Sequence, residues 1–175
     1  MSSLQKRSTN HNYLYTGLVY DEVDMIKLVA LDLDGTVVDD QLQIAPRVLE
    51  LLKHLIEETD TKVVVATGRM HPSALMFAQT IGIKEPLISY QGAMIRSMDP
   101  GHELIRHTPL SIDLAKEVVE LLVAENCNTN VYVNDTLFIN HNDEHAFQYA
   151  KLSGVSPTYT ENLLEHLNGP ATKIM

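Results

Sequence analysis

Asp32-Leu33-Asp34-Gly35-Thr36 stands directly behind a largely apolar run over 26–31. No other stretch of the 175-residue chain restricts the fold as strongly. A continuous apolar run reads as a strand buried on both faces, and this one ends in two carboxylates, a glycine and a threonine. Charge at the C-terminal end of a strand lies on the edge where open α/β sheets bind ligands. Two carboxylates one residue apart repel unless a positive group neutralises them. A hard, oxygen-seeking cation such as Mg²⁺ meets that need. The plainer alternative is a solvated turn, because Asp-Gly is common turn chemistry.

The following segments alternate strand and helix. A polar loop over 37–43 precedes Pro46, which suits the first turn of a helix because its missing N–H costs nothing there. Val48, Leu51, Leu52, Leu55 and Ile56 then recur at helical spacing, behind Ala45 as a weak N-cap. Val63-Val64-Val65-Ala66 reads as a second interior strand, ended by Thr67-Gly68-Arg69, and 73–81 reads as the next helix. Pro86-Leu87-Ile88-Ser89 is a third strand, followed by Gln91-Gly92-Ala93. This alternation predicts an α/β, Rossmann-like, doubly wound parallel sheet. Near residue 94 the texture changes. Segments 94–97 and 103–107 flank Asp99-Pro100-Gly101 and read as a hairpin. Ser111 caps a helix carrying Leu114, Val118, Leu121 and Leu122, and Asn134-Asp135 joins two short strands in a tight turn before a helix over 144–152. The expected organisation is a poorly ordered arm over 1–24, a first unit over 25–108, and a second, α+β unit over 109–175.

DxDGT at the end of a first strand resembles the opening motif of the haloacid dehalogenase (HAD) superfamily of phosphatases. The resemblance implies that Asp32 is a nucleophile taking the phosphoryl group as an aspartyl-phosphate. It implies that Asp34 is a general acid/base whose backbone carbonyl helps hold Mg²⁺. The chemistry is coherent: a carboxylate nucleophile splits phosphoryl transfer into two easier steps, a metal screens the approach of two anions, and a second acid protonates the leaving alkoxide. Gly35 would allow the tight turn and Thr36 would offer a hydroxyl to hold the Asp34 side chain. Thr67-Gly68-Arg69 resembles the second family motif, in which the hydroxyl and following backbone N–H groups bind phosphate oxygens. Arg69 would add positive charge or pair with a surface carboxylate. Gln91-Gly92-Ala93 resembles a family Asn-Gly-Ala segment with Gln in place of Asn, Gly92 permitting close backbone approach and Gln91 lining the site. The α+β texture after residue 108 resembles the cap inserted in Cof-type, class IIB members. The implied architecture is an incomplete HAD core with an incomplete cap.

Two family elements are not found in the sequence: a lysine after the cap and a late Gly-Asp-x-x-Asn-Asp. Lys173 reads as part of a cap strand and not as that lysine. From this resemblance the chain is expected to stop inside its second domain, to be marginal alone and to show little phosphatase activity. Met25 is the expected translation start. Net charge −10 argues against nucleic-acid and anionic-membrane partners. No run approaches membrane-spanning length. A single cysteine, Cys127, excludes an internal disulfide framework and fits a reducing cytoplasm. His141 and His145 sit four apart without the order of a zinc motif, and a solvated helix start explains them. Asp39 and Asp40 read as loop charges. Oligomeric state is not encoded legibly. The expected function is Mg²⁺-dependent hydrolysis of small phosphorylated metabolites, such as sugar or flavin-type phosphates. A phosphotransferase or mutase, and a non-catalytic remnant binding phosphate or a protein, are the alternatives.

Overall fold

The computed structural model describes residues 26–175. The arm expected over 1–24 and the start at Met25 lie outside the described residues. The first unit opens with β1 (Leu28–Leu31), α1 (Pro46–Glu58), β2 (Lys62–Val65), α2 (His71–Ile81) and β3 (Leu87–Ser89). β1 and β2 pair in parallel, from Leu28 opposite Lys62 to Leu31 opposite Val65. β3 joins the other side of β2 through a parallel bridge between Ala66 and Ile88. The α/β reading therefore holds, in the order β1-β2-β3. Among the described residues α1 and α2 touch each other and cover the same face, as crossovers running in one direction require. Leu33, Val63, Val65, Ala74, Ile81 and Leu87 fill the core beneath them. The opposite face of β1 is open, with Leu28 57% exposed.

Local sequence explains the helix ends. Pro46 occupies the first turn of α1, and Ala45 contributes no side-chain cap. α2 begins at His71, two residues ahead of expectation, because Pro72 is tolerated in a first turn. Its C-terminus closes on Gly82 in the left-handed conformation.

The expected hairpin is present as β4 (Met94–Arg96) and β5 (Leu104–His107), and β4 also pairs antiparallel with β3. The sequence did not reveal that second pairing. The reversal between β3 and β4 uses Tyr90 and Gln91 at φ 52° and 53°, a region that non-glycine residues seldom occupy. Only Gly92, at φ 90°, carries a legible signal for it.

The second unit contains α3 (Ile112–Ala124), β6 (Asn130–Val133), β7 (Thr136–Ile139), α4 (Glu144–Ser153), β8 (Thr158–Tyr159) and β9 (Ala171–Ile174). Its sheet runs β8-β7-β6-β9. Asn134 and Asp135 both have positive φ, as the two-residue hairpin turn demands. Alternation along β6 explains the layering. Val131 and Val133 turn toward α3, together with Leu163 and Ala171. Tyr132 turns the other way, with Leu137 and Ile139, onto Met70, Tyr90 and Met94 of the first unit. β8 and the short helical turn Leu163–His166 were not anticipated, being too brief to show a period.

Leu33 is fully buried between the two motif aspartates. Leu33→Ala should destabilise by about 2–5 kcal/mol, from lost burial and the cavity left behind. A lowered urea midpoint with unchanged slope checks this, and a midpoint equal to the parent's contradicts it.

Candidate active site

The site assembles where the chain leaves β1, β2 and β3. Along Asp32-Leu33-Asp34 the pleat alternates, so Leu33 enters the core while both carboxylates are exposed. The turn that follows is organised by the Leu33 carbonyl, which accepts the N–H groups of Thr36, Val37 and Val38 at 3.2, 3.0 and 2.8 Å. Gly35 makes this possible at φ 68°, a conformation strained for other residues even though open space surrounds it. Asp32 Oδ1 accepts the Leu33 N–H at 2.8 Å.

Asp34 is held by Arg69, not by Thr36. Arg69 donates from Nη2 to Oδ1 at 2.6 Å and from Nε to Oδ2 at 2.9 Å, a two-pronged pair. The Arg69 side chain is only 7% exposed while that of Asp34 is 57% exposed. Arg69 is thus a largely desolvated cation whose charge the motif carboxylate must satisfy. The same guanidinium lies 5.0 Å over the Phe77 ring. It donates from Nη1 to Ser73 Oγ at 3.0 Å and toward the Ser153 carbonyl at 3.5 Å. Ser73 Oγ also donates to that carbonyl. One side chain therefore joins the β1 loop, the start of α2 and the end of α4.

Thr67 is buried. Its Oγ1 accepts the Arg69 N–H at 3.2 Å, which leaves the hydroxyl proton for an incoming acceptor. The loop after β3 is laced onto this segment, with Tyr90 N–H donating to Arg69 O at 2.9 Å and Gln91 N–H to Thr67 O at 3.0 Å. Gln91 packs so closely on Gly68 that a Cβ there would lie 3.0 Å from its Nε2. Asp34, Gly68, Arg69 and Gln91 share a cavity of about 260 Å³ with Ser73 and Ser153. Thr67, Gly68, Gln91 and Gly92 line a shallower hollow beside it. Asp32, Gly35 and Thr36 line neither and flank the cavity along the chain.

The second unit supplies the far wall, through side chains that the sequence does not single out. Lys173 on β9 donates from Nζ to the Gly68 carbonyl at 3.2 Å. Burial lowers its pKa from the ordinary lysine value. Tyr132 and Tyr149 share a hydrogen bond between their hydroxyls. Burial first, then that bond, pushes the Tyr132 pKa upward. Asp135, which the sequence marks only as a turn residue, accepts from Tyr90 Oη at 2.9 Å and from Arg96 Nη2 at 3.2 Å. The hairpin of the second unit is thereby clamped to the first. His71 lies beside this clamp, buried, with both ring nitrogens lacking a partner among the described residues and its ring centroid 6.4 Å from that of His102. His141 contacts Asp143 and Asn130 at 3.2 and 3.1 Å, and Asp143 caps α4. Cys127 is exposed and free. No group of three potential metal-ligating His, Cys, Asp or Glu side chains occurs among the described residues.

Residues 29–175 match the family model described as haloacid dehalogenase-like hydrolase. The chain belongs to this family. It is 27% identical over 149 residues to a 5-amino-6-(5-phospho-D-ribitylamino)uracil phosphatase of Bacillus subtilis, covering 85% of this chain and 54% of that protein. A protein of known structure from Thermotoga maritima is 28% identical, with TM-score 0.68, over 86% of this chain and 55% of its own. A sugar phosphatase of HAD subclass IIB superposes with TM-score 0.66 at 18% identity, over 85% of this chain and 57% of its own, and that likeness concerns the fold. The chain spans about half the length of these relatives.

His71 gives this HAD-like site a pH signature. Burial, assisted by Arg96 and His102 and opposed by Asp135, lowers its pKa from the ordinary imidazole value. Neutral His71 therefore contributes stability that is complete above about pH 6.5 and is lost as pH falls toward the lower folded value. The urea midpoint should fall between about pH 7.5 and about pH 5.5, and His71→Gln should flatten that fall. An identical pH dependence in the variant contradicts the assignment.

Proposed function

We propose that the chain carries the phosphoryl-transfer half of a Mg²⁺-dependent phosphatase acting on small phosphomonoesters, with Asp32 as nucleophile. The carrying observation is the convergence of Asp34, Gly68 and Arg69 on one cavity at the C-terminal edge of the parallel strands. In this reading the phosphoryl group rests against the Thr67 hydroxyl and the adjoining backbone amides. An Asp32 oxygen forms a bond to phosphorus as the bond to the leaving alcohol breaks. Asp34 gives the departing oxygen its proton and later takes one from the water that cleaves the aspartyl-phosphate. Both acts need Asp34 to exchange its Arg69 contact for substrate, so Arg69 holds the resting site and is then free to face phosphate oxygens.

The Asp32 carboxylate and the Asp34 backbone carbonyl are hard oxygen donors of the kind Mg²⁺ accepts, and two such donors fit a site completed by water and substrate. When bound, the ion would offset the repulsion between carboxylate and phosphate. Gly35 and Thr36 shape the turn carrying these donors, while Gln91 and Gly92 line the phosphate side. Residues 109–175 are read as a cap whose β6, α4 and β9 side chains close the cavity and select the leaving group. The acidic balance of the chain supports a small metabolite over nucleic acid or an anionic membrane as partner, and cytoplasmic location is part of the same reading.

Phosphate release from p-nitrophenyl phosphate, expected to be small for this chain alone, should require Mg²⁺ and disappear in Asp32→Asn. Asp34→Asn should lower it by about 10²–10⁴-fold, the usual contribution of a positioned acid/base. Equal turnover by the parent and Asp32→Asn would remove Asp32 from its role.

A further inference from the structure

Among the described residues, Lys173 is the one charged side chain that the second unit contributes to the cavity. It stands on β9, a hundred residues along the chain from the loop it touches, and reaches across the seam between the two units to the Gly68 carbonyl. Its ammonium lies 5.6 Å from the centre of the Tyr132 ring. An ammonium has three donors, and the Gly68 bond uses one. No carboxylate pairs with Lys173 among the described residues. The other cation of the cavity, Arg69, is committed to Asp34. Lys173 is therefore an unneutralised positive group in a half-buried cavity of an otherwise acidic protein.

Position decides what it can recognise. The groups that would hold the transferring phosphoryl belong to the loops after β1 and β2, whereas Lys173 comes from β9 beside Tyr132, Tyr149 and Met175 and extends its ammonium to the edge of the β2 loop at the Gly68 carbonyl. With the phosphoryl group held as proposed, these second-unit side chains are left to meet whatever it is attached to. A cavity of about 260 Å³ admits only a small leaving group. An aromatic face and a thioether tolerate its carbon skeleton, while the ammonium asks for an oxygen anion.

We propose that Lys173 is a specificity-determining residue that selects phosphomonoesters whose leaving group carries a second anionic oxygen group, a carboxylate or a further phosphate. This rests on the proposed phosphoryl site and deepens it. Lys173 exchanges the Gly68 carbonyl for the substrate anion and thereby also reports occupancy to the loop that cradles the phosphoryl group. It takes no part in bond making.

The test reads equilibrium binding by calorimetry in the presence of Mg²⁺, on protein carrying Asp32→Asn so that ligands are held without turnover. The probes are 2-phosphoglycolate, 1,3-propanediol bisphosphate and ethyl phosphate. The first two should bind about 10- to 100-fold more tightly than ethyl phosphate, the worth of one charge-assisted hydrogen bond. Lys173→Met should erase that gap and leave ethyl phosphate within about twofold of its parent value, while Lys173→Arg should restore part of the gap. Which of the two probes with a second anionic group gains more identifies carboxylate or phosphate as the preferred group. Equal weakening of all three probes, or no gap in the parent, overturns the proposal. A urea melt of each variant separates these outcomes from unfolding. Failure of the underlying phosphate site looks different: Thr67→Ala would then leave ethyl phosphate binding unchanged, and both readings would fall together.

Discussion

A desolvated guanidinium organises this molecule. Arg69 is almost entirely out of water, and a charge so placed must be matched by neighbouring acceptors or the fold bears a heavy desolvation cost. Asp34 supplies the charge, Ser73 a hydroxyl and Ser153 a carbonyl. Those three residues come from the β1 loop, the start of α2 and the end of α4. Satisfying one cation therefore fixes three elements against each other and seats the second unit over the edge of the first. The Tyr90–Asp135–Arg96 clamp and the Lys173–Gly68 bond repeat the device on either side of it. The contacts between the units are accordingly polar around an apolar seam of Tyr90, Met94 and Tyr132. A seam of this kind can open without stranding a large greasy surface, which suits the cap role proposed for the second unit.

Chemistry and fold are linked through the same residues. Leu33 anchors the motif in the core and uses its carbonyl to shape the turn, so the carboxylates on either side are presented without depending on their own packing. The Thr67 hydroxyl is oriented by the Arg69 N–H, and the Arg69 side chain restrains Asp34. Phosphate-binding and acid/base candidates are thus positioned through one residue. A substrate that takes over the Arg69 guanidinium would release Asp34 in the same event.

Much of this was readable in the sequence wherever the signal was local. The strand-helix alternation, the Asp-x-Asp-Gly-Thr turn, the Ser111 cap and the Asn134-Asp135 hairpin all follow from neighbours a few residues apart. Thr67-Gly68-Arg69 was found because its distance from the first motif is one strand-helix-strand unit. The choice between phosphate and carboxylate as the partner of Arg69 could not be made from sequence, since it depends on a side chain 35 residues away. Thr36 was given a role that Arg69 performs. The contacts of Asp135, Ser153 and Lys173 are not legible in the sequence because each meets the first unit only through the packing of the second unit against it. The left-handed pair Tyr90 and Gln91 was equally hidden, because neither residue type announces a positive φ.

The role proposed for Asp32 is to receive a phosphoryl group at this edge of the sheet. Its most direct measurement is ¹⁹F NMR of the protein with Mg²⁺ and beryllofluoride, a mimic of phosphate bonded to a carboxylate. Bound fluorine resonances should appear with the parent protein, vanish in Asp32→Asn and persist in Lys173→Met. Resonances that survive the loss of the Asp32 carboxylate would place the acceptor elsewhere and contradict it.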